Sequence, residues 1–250
     1  MTFGLWPQTI KAENVTVDKN ETESHGVFTY CKGSDGKWYV KADETNNYSG
    51  RKYSDGTSVA KKSDNSYKWF RVEPIKWRVL TVNYDHDKDF STTGVKLLLA
   101  ENVLTGMHFL DSSNWCDSHV YEKSDVRAWL TGTFYNSAFS TSEQAAIMTS
   151  TLDGLDVYYN TDATVTDKVF LLSLEEAATT DYGFAVGGPD SARVRDITDF
   201  AKAVCTYNEW WLRTCDGSML FTVDLAGCIF CDSCVCDDNV GVVPALCVAN

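Results

Sequence analysis

The alternation of polar and apolar positions predicts short strands separated by irregular loops. Residues 76–82 alternate polar and apolar side chains, and 95–100 follow an acidic loop that ends at Gly94, so we expect two paired strands. The aromatic segments 27–30 and 37–40 are predicted to form a hairpin through a Gly-containing turn. Further strands are predicted at 168–173, 210–213 and 242–248.

Helix-start signals predict helices that are few and short. Ser124 is the expected N-cap of a helix over 124–130 that is stopped by Gly132, and Thr141 or Ser142 is expected to cap a second helix. Helical segments are predicted at 142–148, 174–178 and 199–204. Because a doubly wound parallel fold would alternate strands with longer helices, the pattern predicts an α+β fold with small antiparallel sheets and many loops.

The length of 250 residues suits one large domain or two small ones, and we predict a single domain over 1–250. Residues 10–66 form a polar, turn-rich, hairpin-rich N-terminal part, and the regular part begins near Tyr67. The first residues lack the basic and apolar regions of a signal peptide, and no apolar run approaches the ~18 residues of a membrane span.

The charge balance narrows the classes of partner. There are 22 Lys and Arg against 35 Asp and Glu, which gives a formal net charge of −13. Nucleic-acid backbones and anionic lipids attract clustered positive charge, so neither is expected as a partner. Phosphate-binding, zinc-protease and serine-hydrolase motifs are absent from the sequence, and we predict no cofactor.

The cysteines are distributed unevenly. Six of the nine lie in the last thirty-six residues, and four of these have the spacing C-x-x-C-x-x-C-x-C over 228–236. Thiolates at this spacing can bind zinc or an iron–sulfur cluster, but structural zinc sites separate their two pairs more widely, and cluster motifs space the fourth cysteine differently. We predict that these cysteines bind no metal. Disulfide bonds and a metal-stabilised binding module remain as alternatives.

Two other chemistries depend on this region. Cys205 or Cys215, near Arg213, could be activated as a nucleophile, although the four histidines form no catalytic signature with either. The carboxylates of 232, 237 and 238 could bind Ca²⁺, but the EF-hand spacing is absent and a solvated acidic loop is the simpler interpretation.

Five stretches of the chain, taken together, have the pattern of a known family. They are 3–10 (Phe-Gly-Leu-Trp-Pro-Gln-Thr-Ile), 68–80, 167–173, 210–213 (Trp-Trp-Leu-Arg) and 241–247 (Gly-Val-Val-Pro-Ala-Leu-Cys). On these stretches, the chain resembles the variable proteins of diversity-generating retroelements, in particular the surface lipoproteins among them. The resemblance covers most of the chain.

The resemblance implies a C-type lectin fold, in the version shared with formylglycine-generating enzymes. In that family a reverse transcriptase miscopies adenines, so Asn codons are replaced by codons that never specify Lys, Glu, Gln or Trp. Residues 220–239 contain none of these four types and no Met, which the replaced codons also do not specify, whereas Met219, just before them, departs from the pattern. The variable region is therefore predicted at 214–240, and Cys is one of its permitted outcomes, which accounts for the cysteines without a metal.

A variable surface should be separate from the positions that pack the core. We expect Val223, Gly227 and Val235 to face inward, while four apolar residues, Leu220, Phe221, Ile229 and Phe230, face solvent as a binding patch. The predicted ligand-binding residues are Asp216, Leu220, Phe221, Asp224, Leu225, Cys228, Ile229, Phe230, Cys231, Asp232, Ser233, Cys234, Cys236, Asp237, Asp238 and Asn239.

The predicted function is that of a non-enzymatic receptor or adhesin with a hypervariable binding surface. By resemblance, it is a monomer held at the cell surface as an outer-membrane lipoprotein, with a protein or another cell-surface component as its ligand. Calcium-dependent sugar binding is not expected, because the chain lacks the Glu-Pro-Asn and Trp-Asn-Asp type motifs. The alternative is an oxidoreductase of the formylglycine-generating type, which would use a cysteine pair in a cleft.

Overall fold

The computed structural model describes residues 1–46, 50–88, 93–110, 121–153, 155–157, 164–217, 219–234 and 239–250, with 232–234 described by their backbone alone. The strands are β1 Thr2–Ile10, β2 Val17–His25, β3 Phe28–Gly33, β4 Trp38–Asp43, β5 Tyr67–Thr81, β6 Val95–Ala100, β7 Asn102–Val103, β8 Thr105–Met107, β9 Ile147–Met148, β10 Ser150–Leu152, β11 Val165–Asp167, β12 Val169–Phe170, β13 Asp196–Ile197, β14 Trp210–Asp216, β15 Met219–Val223, β16 Ile229–Cys234, β17 Val240–Val242 and β18 Ala245–Ala249. The helices are α1 Asp125–Trp129, α2 Tyr135–Ala138, α3 Thr141–Ala146, α4 Leu174–Ala177 and α5 Asp199–Val204. The protein is α+β, with mostly antiparallel sheets and few, short helices.

The larger sheet has nine strands and is built around β5, the longest strand. Its main path runs β12-β18-β6-β5-β4-β3-β2, while β1 pairs with β5 and β9 pairs with β18. The first residues of β5 pair with β4 and its last residues pair with β6, as the alternating segment 76–82 and the segment 95–100 predicted. The predicted hairpin of 27–30 and 37–40 is confirmed by the antiparallel pairing of β3 with β4. The polar N-terminal part thus shares one sheet with β18 at the other end of the chain.

The second sheet has five strands in the order β16-β15-β14-β17-β8. Its pairs are antiparallel except β14 with β17, which run parallel. The predicted single strand over 242–248 is wrong, because β17 ends at Val242 in this sheet and β18 begins at Ala245 in the larger one. Pro244 lies between them, and it has no backbone N–H to donate to a ladder. The chain therefore crosses from one sheet to the other at this point.

The helices begin near the predicted positions, but their caps and ends differ in part from the prediction. Ser124 accepts the expected N-terminal hydrogen bond of α1, and Ser173, which was not predicted as a cap, does the same for α4. Gly132 does not stop the first helix, since a π-turn over Leu130–Phe134 carries it into α2. Ser140, rather than Thr141 or Ser142, caps α3 and forms a capping box with Glu143. The C-terminal end of the predicted segment 142–148 forms β9 instead.

Buried apolar residues from both sheets form one hydrophobic cluster. Within this cluster, the Trp6 ring packs edge-on or tilted against the rings of Phe28, Trp129, Phe134 and Phe200. Its indole N–H donates to the Leu104 carbonyl, which ties β1 to the loop before β8. None of the helices in the described ranges combines the length and apolar character needed to span a bilayer.

Candidate ligand-binding surface

The predicted binding residues follow one another along the outer part of the five-stranded sheet. Residues 219–223 form β15, 224–228 form a turn, and 229–234 form β16, which pairs antiparallel with β15. We call residues 219–234 the outer hairpin. The side chains of Asp232, Ser233 and Cys234, and the whole of Val235, Cys236, Asp237 and Asp238, lie outside what the structure describes.

One face of β15 belongs to the core. Leu220 has no exposed surface and lies opposite the equally buried Cys215 of β14. Thr222 is also fully buried, and its hydroxyl donates to Glu209 at 2.9 Å. The expectation that Leu220 faces solvent is therefore wrong, because its side chain lies on a face of β15 that packs into the core cluster. The inward placement of Val223 and Gly227 is confirmed.

The exposed apolar residues lie at the turn and on β16. Leu225 is 60 % exposed at the turn, and Phe230 is 45 % exposed on β16, as predicted for Phe230. Phe221 and Ile229 are half-buried and pack against the core, so they are less exposed than expected. Asp216 is exposed, and intermediate exposure is shared by Asp224, Cys228, Cys231 and Asn239. The surface is thus a subset of the predicted one.

The turn of the outer hairpin is held by its own residues. The Asp224 carboxylate accepts hydrogen bonds from the backbone N–H groups of Ala226 and Cys228, at 2.9 and 2.8 Å. Gly227 has a φ of +75°, in the left-handed region that glycine adopts without strain. Asp224, predicted as a ligand-binding residue, therefore also fixes the backbone that presents Leu225.

The loop that contains Asp190 packs against the turn. A Cβ on Gly227 would lie 1.9 Å from the Asp190 carbonyl oxygen, so the two backbones are in close contact. Arg193 has no exposed surface and donates to the Gly227 carbonyl at 2.7 Å, as well as to the carbonyls of Ala177, Ala185 and Gly188. The buried guanidinium has lost its hydrogen bonds to water, and four carbonyl oxygens accept its hydrogen bonds instead. These bonds fix the loop against the hairpin.

A shallow groove adjoins the turn. It has a volume of about 240 Å³, and Leu225 and Asp224 form one side of it. The other side carries Arg51 and the segment 206–209, where Arg51 donates to the Asn208 side chain at 2.5 Å and to the Cys205 and Thr206 carbonyls. Arg51, Tyr207, Asn208 and Glu209 were not predicted as site residues. Residues 206–209 directly precede the predicted strand at Trp210-Trp211, but no sequence pattern pointed to Arg51.

Three buried cysteines lack the environment of a reactive thiol. Burial raises the pKa of Cys205 to about 12 and the pKa of Cys247 to about 12. Burial and then the Asp156 side chain, whose oxygen lies 3.2 Å from Sγ, raise the pKa of the Cys215 thiol. The suggestion that Cys205 or Cys215 is activated is therefore wrong, because a nucleophilic thiol needs a lowered pKa.

Arg213, which the sequence placed beside those cysteines, belongs to a buried ion pair instead. Its guanidinium donates to Glu176 at 2.6 Å, and Tyr84 donates to the other carboxylate oxygen at 2.6 Å. Among the residues with described side chains, no three His, Cys, Asp or Glu are arranged to hold a metal ion.

The comparisons with known proteins give one match. The model of the family named Domain of unknown function (DUF6273) matches residues 93–250. This range includes the whole five-stranded sheet and all the helices given above, and it leaves out β1–β5. No curated protein and no solved structure matches the chain.

Proposed function

The chain belongs to the DUF6273 family, and we propose that it is a non-enzymatic binding protein whose ligand contacts the outer hairpin and the adjoining groove. The observation that carries this proposal is the exposure of Leu225 and Phe230 on a hairpin whose turn is fixed by Arg193, Gly227 and Asp224. Exposed apolar side chains on a rigid support lose little entropy on binding, and aromatic ones contribute strongly to affinity.

A more specific interpretation than the α+β class depends on the sequence resemblance. We propose a C-type lectin fold of the formylglycine-generating-enzyme type, in which the outer hairpin lies in a region diversified by a retroelement. The burial of Leu220 and Thr222 supports a narrower form of this idea, with variation at the outward positions only. By the same resemblance, the protein is a cell-surface lipoprotein that acts as a receptor or adhesin.

Copies of the gene from related strains test the diversification. Substitutions are expected at Asp216, Leu225 and Phe230 and within 232–239, while Leu220, Thr222 and Gly227 stay constant. Differences spread evenly over the chain would contradict a diversified hairpin.

Selection from a random peptide library on the full chain tests the binding surface. Peptides that bind are expected to lose affinity for Phe230→Ser by about 10- to 100-fold, since a buried aromatic anchor contributes roughly 2 kcal/mol. Leu225→Ser should weaken binding in the same direction.

Two substitutions of similar exposure serve as controls. Tyr67 is 46 % exposed at the start of β5 and matches Phe230, while Val27 is 64 % exposed and matches Leu225. Tyr67→Ser and Val27→Ser should leave binding unchanged. If the selected peptides bind all four variants equally, the outer hairpin is not the binding surface.

A further inference from the structure

The outer hairpin ends in a strand with one neighbour. β16 is the last strand of the five-stranded sheet, and among the described strands only β15 pairs with it. An edge strand presents a row of backbone donors and acceptors that can pair with another chain.

The composition of β16 contrasts with that of β2, which lies at one edge of the larger sheet. β2 carries four charged residues, Asp18, Lys19, Glu21 and Glu23, and its register shifts between Asp18 and Thr22. Charges and register shifts of this kind protect an edge from pairing with other chains. β16 has the sequence Ile-Phe-Cys-Asp-Ser-Cys, with a single charge and with Phe230 exposed. Among the described strands, β16 thus lacks the features that protect β2, and it is suited to strand addition.

The charge near this edge is entirely negative along the sequence. Residues 214–250 contain five Asp and no Lys, Arg, His or Glu. Arg51, the cation that lines the groove, already donates to Asn208 and to two carbonyls. A partner segment that brings Lys or Arg is therefore favoured, whereas a second copy would bring another net charge of −13 and the same acidic strand.

We propose that β16 is the docking site for an extended, basic segment of a partner protein, which adds to the sheet as a sixth strand. This inference rests on the proposed function and names its partner class. Backbone hydrogen bonds to β16 give the affinity, alternate side chains of the added strand contact Phe230, and its Lys or Arg side chains complement the net negative charge of the chain.

The probe is a short peptide of alternating Val and Lys, tested against the full chain by fluorescence anisotropy and hydrogen exchange. It should bind, and it should slow exchange of the backbone amides of 229–234 by about tenfold or more. An alternating Val and Glu peptide should not bind. A Val and Lys peptide with consecutive N-methylated amides should also fail, because both of its pairing edges are blocked while its charge is kept.

Matched variants separate edge pairing from general charge attraction. Phe230→Lys places a charge on the edge and should abolish peptide binding, whereas Tyr67→Lys makes the same change in net charge at similar exposure and should not. Circular dichroism confirms that both variants are folded.

Several results would overturn strand addition. They are failure of the Val and Lys peptide to bind, equal binding of the N-methylated peptide, protection outside 229–234, or exchange in 229–234 that slows with protein concentration, which would assign the edge to a second copy. If library-selected peptides still depend on Phe230 in these cases, the proposed function stands and only the mode of binding is wrong.

Discussion

Arg213 and Glu176 connect β14 to α4 through a buried ion pair. Neither side chain has appreciable contact with solvent, and Tyr84 completes the hydrogen bonding of the carboxylate. Burial alone would raise the pKa of Glu176, but the charge and hydrogen bond of Arg213, together with the Tyr84 hydroxyl, hold the pKa below its ordinary 4.5. A buried charge of this kind is stable only while its partner is present.

Glu176→Gln tests this ion pair. The substitution leaves the Arg213 guanidinium with only the half-exposed Asp153 carboxylate, at 3.8 Å, so we expect the free energy of unfolding at neutral pH to fall by about 3 kcal/mol. Because the folded pKa of Glu176 lies below its unfolded value, its contribution is complete above pH 4.5 and is lost as the pH falls further. The difference between wild type and variant, measured by urea denaturation, should shrink below pH 4.5. A difference that stays constant down to the acid limit would contradict the ion pair.

The thiols give a second prediction at the residue scale. Cys205, Cys215 and Cys247 are buried and have raised pKa values, so they should react with N-ethylmaleimide at pH 7.5 at least ~10-fold more slowly than Cys228, which is half-exposed. Peptide mass spectrometry after a timed pulse measures each site, and labelling in urea provides the control. Rapid labelling of Cys215 in the folded protein would restore the case for a reactive cysteine.

At the scale of elements, the close contact between Gly227 and Asp190 decides how firmly the outer hairpin is held. The hairpin turn contacts the loop whose carbonyls accept hydrogen bonds from Arg193. Within this loop, the Asp190 carboxylate accepts hydrogen bonds from the backbone N–H groups of Ala185 and Ala192. These bonds lower the pKa of Asp190, against the opposing effect of burial. The outer hairpin is therefore supported by a segment that carries none of the predicted binding residues.

Gly227→Ala tests that support, with Gly217→Ala as its matched control. Both glycines have positive φ, 75° and 61°, but a Cβ at 217 meets no atom within 4 Å. Gly217→Ala should cost about 1 kcal/mol of backbone strain. Gly227→Ala adds a backbone clash and should cost more than about 2 kcal/mol, with faster amide exchange over 224–231. Equal costs from thermal unfolding would show that the contact with Asp190 is not tight.

The strands that sequence predicted well are those with alternation or an apolar run between turn residues, such as β5 and β6. The crossing between sheets at Pro244 was missed, because an apolar run carries no information on which sheet a strand joins. Leu220 was misplaced for a related reason, since a permitted codon says nothing about the direction of a side chain. Arg51 lies more than 150 residues from its partners Cys205 and Thr206, so no local pattern could reveal the groove.

Across the whole molecule, the residues that form the core and the residues proposed to contact a ligand lie in different parts of the structure. The nine-stranded sheet, the helices and the inner face of β15 form one core, while the outer hairpin presents Leu225 and Phe230 at the edge of the smaller sheet. The last 37 residues of the chain, which include the outer hairpin, hold five Asp and no positive side chain. Folding and binding should then depend on different residues.

Saturation mutagenesis of residues 216–231 in the displayed full chain, read out as protease resistance, tests this separation most directly. We expect nearly all substitutions at Asp216, Leu225 and Phe230 to leave the protein resistant, and most substitutions at Leu220, Thr222 and Gly227 to make it sensitive. If Leu225 and Phe230 tolerate as few residues as Leu220, they are part of the folded core and the outer hairpin is not a binding surface.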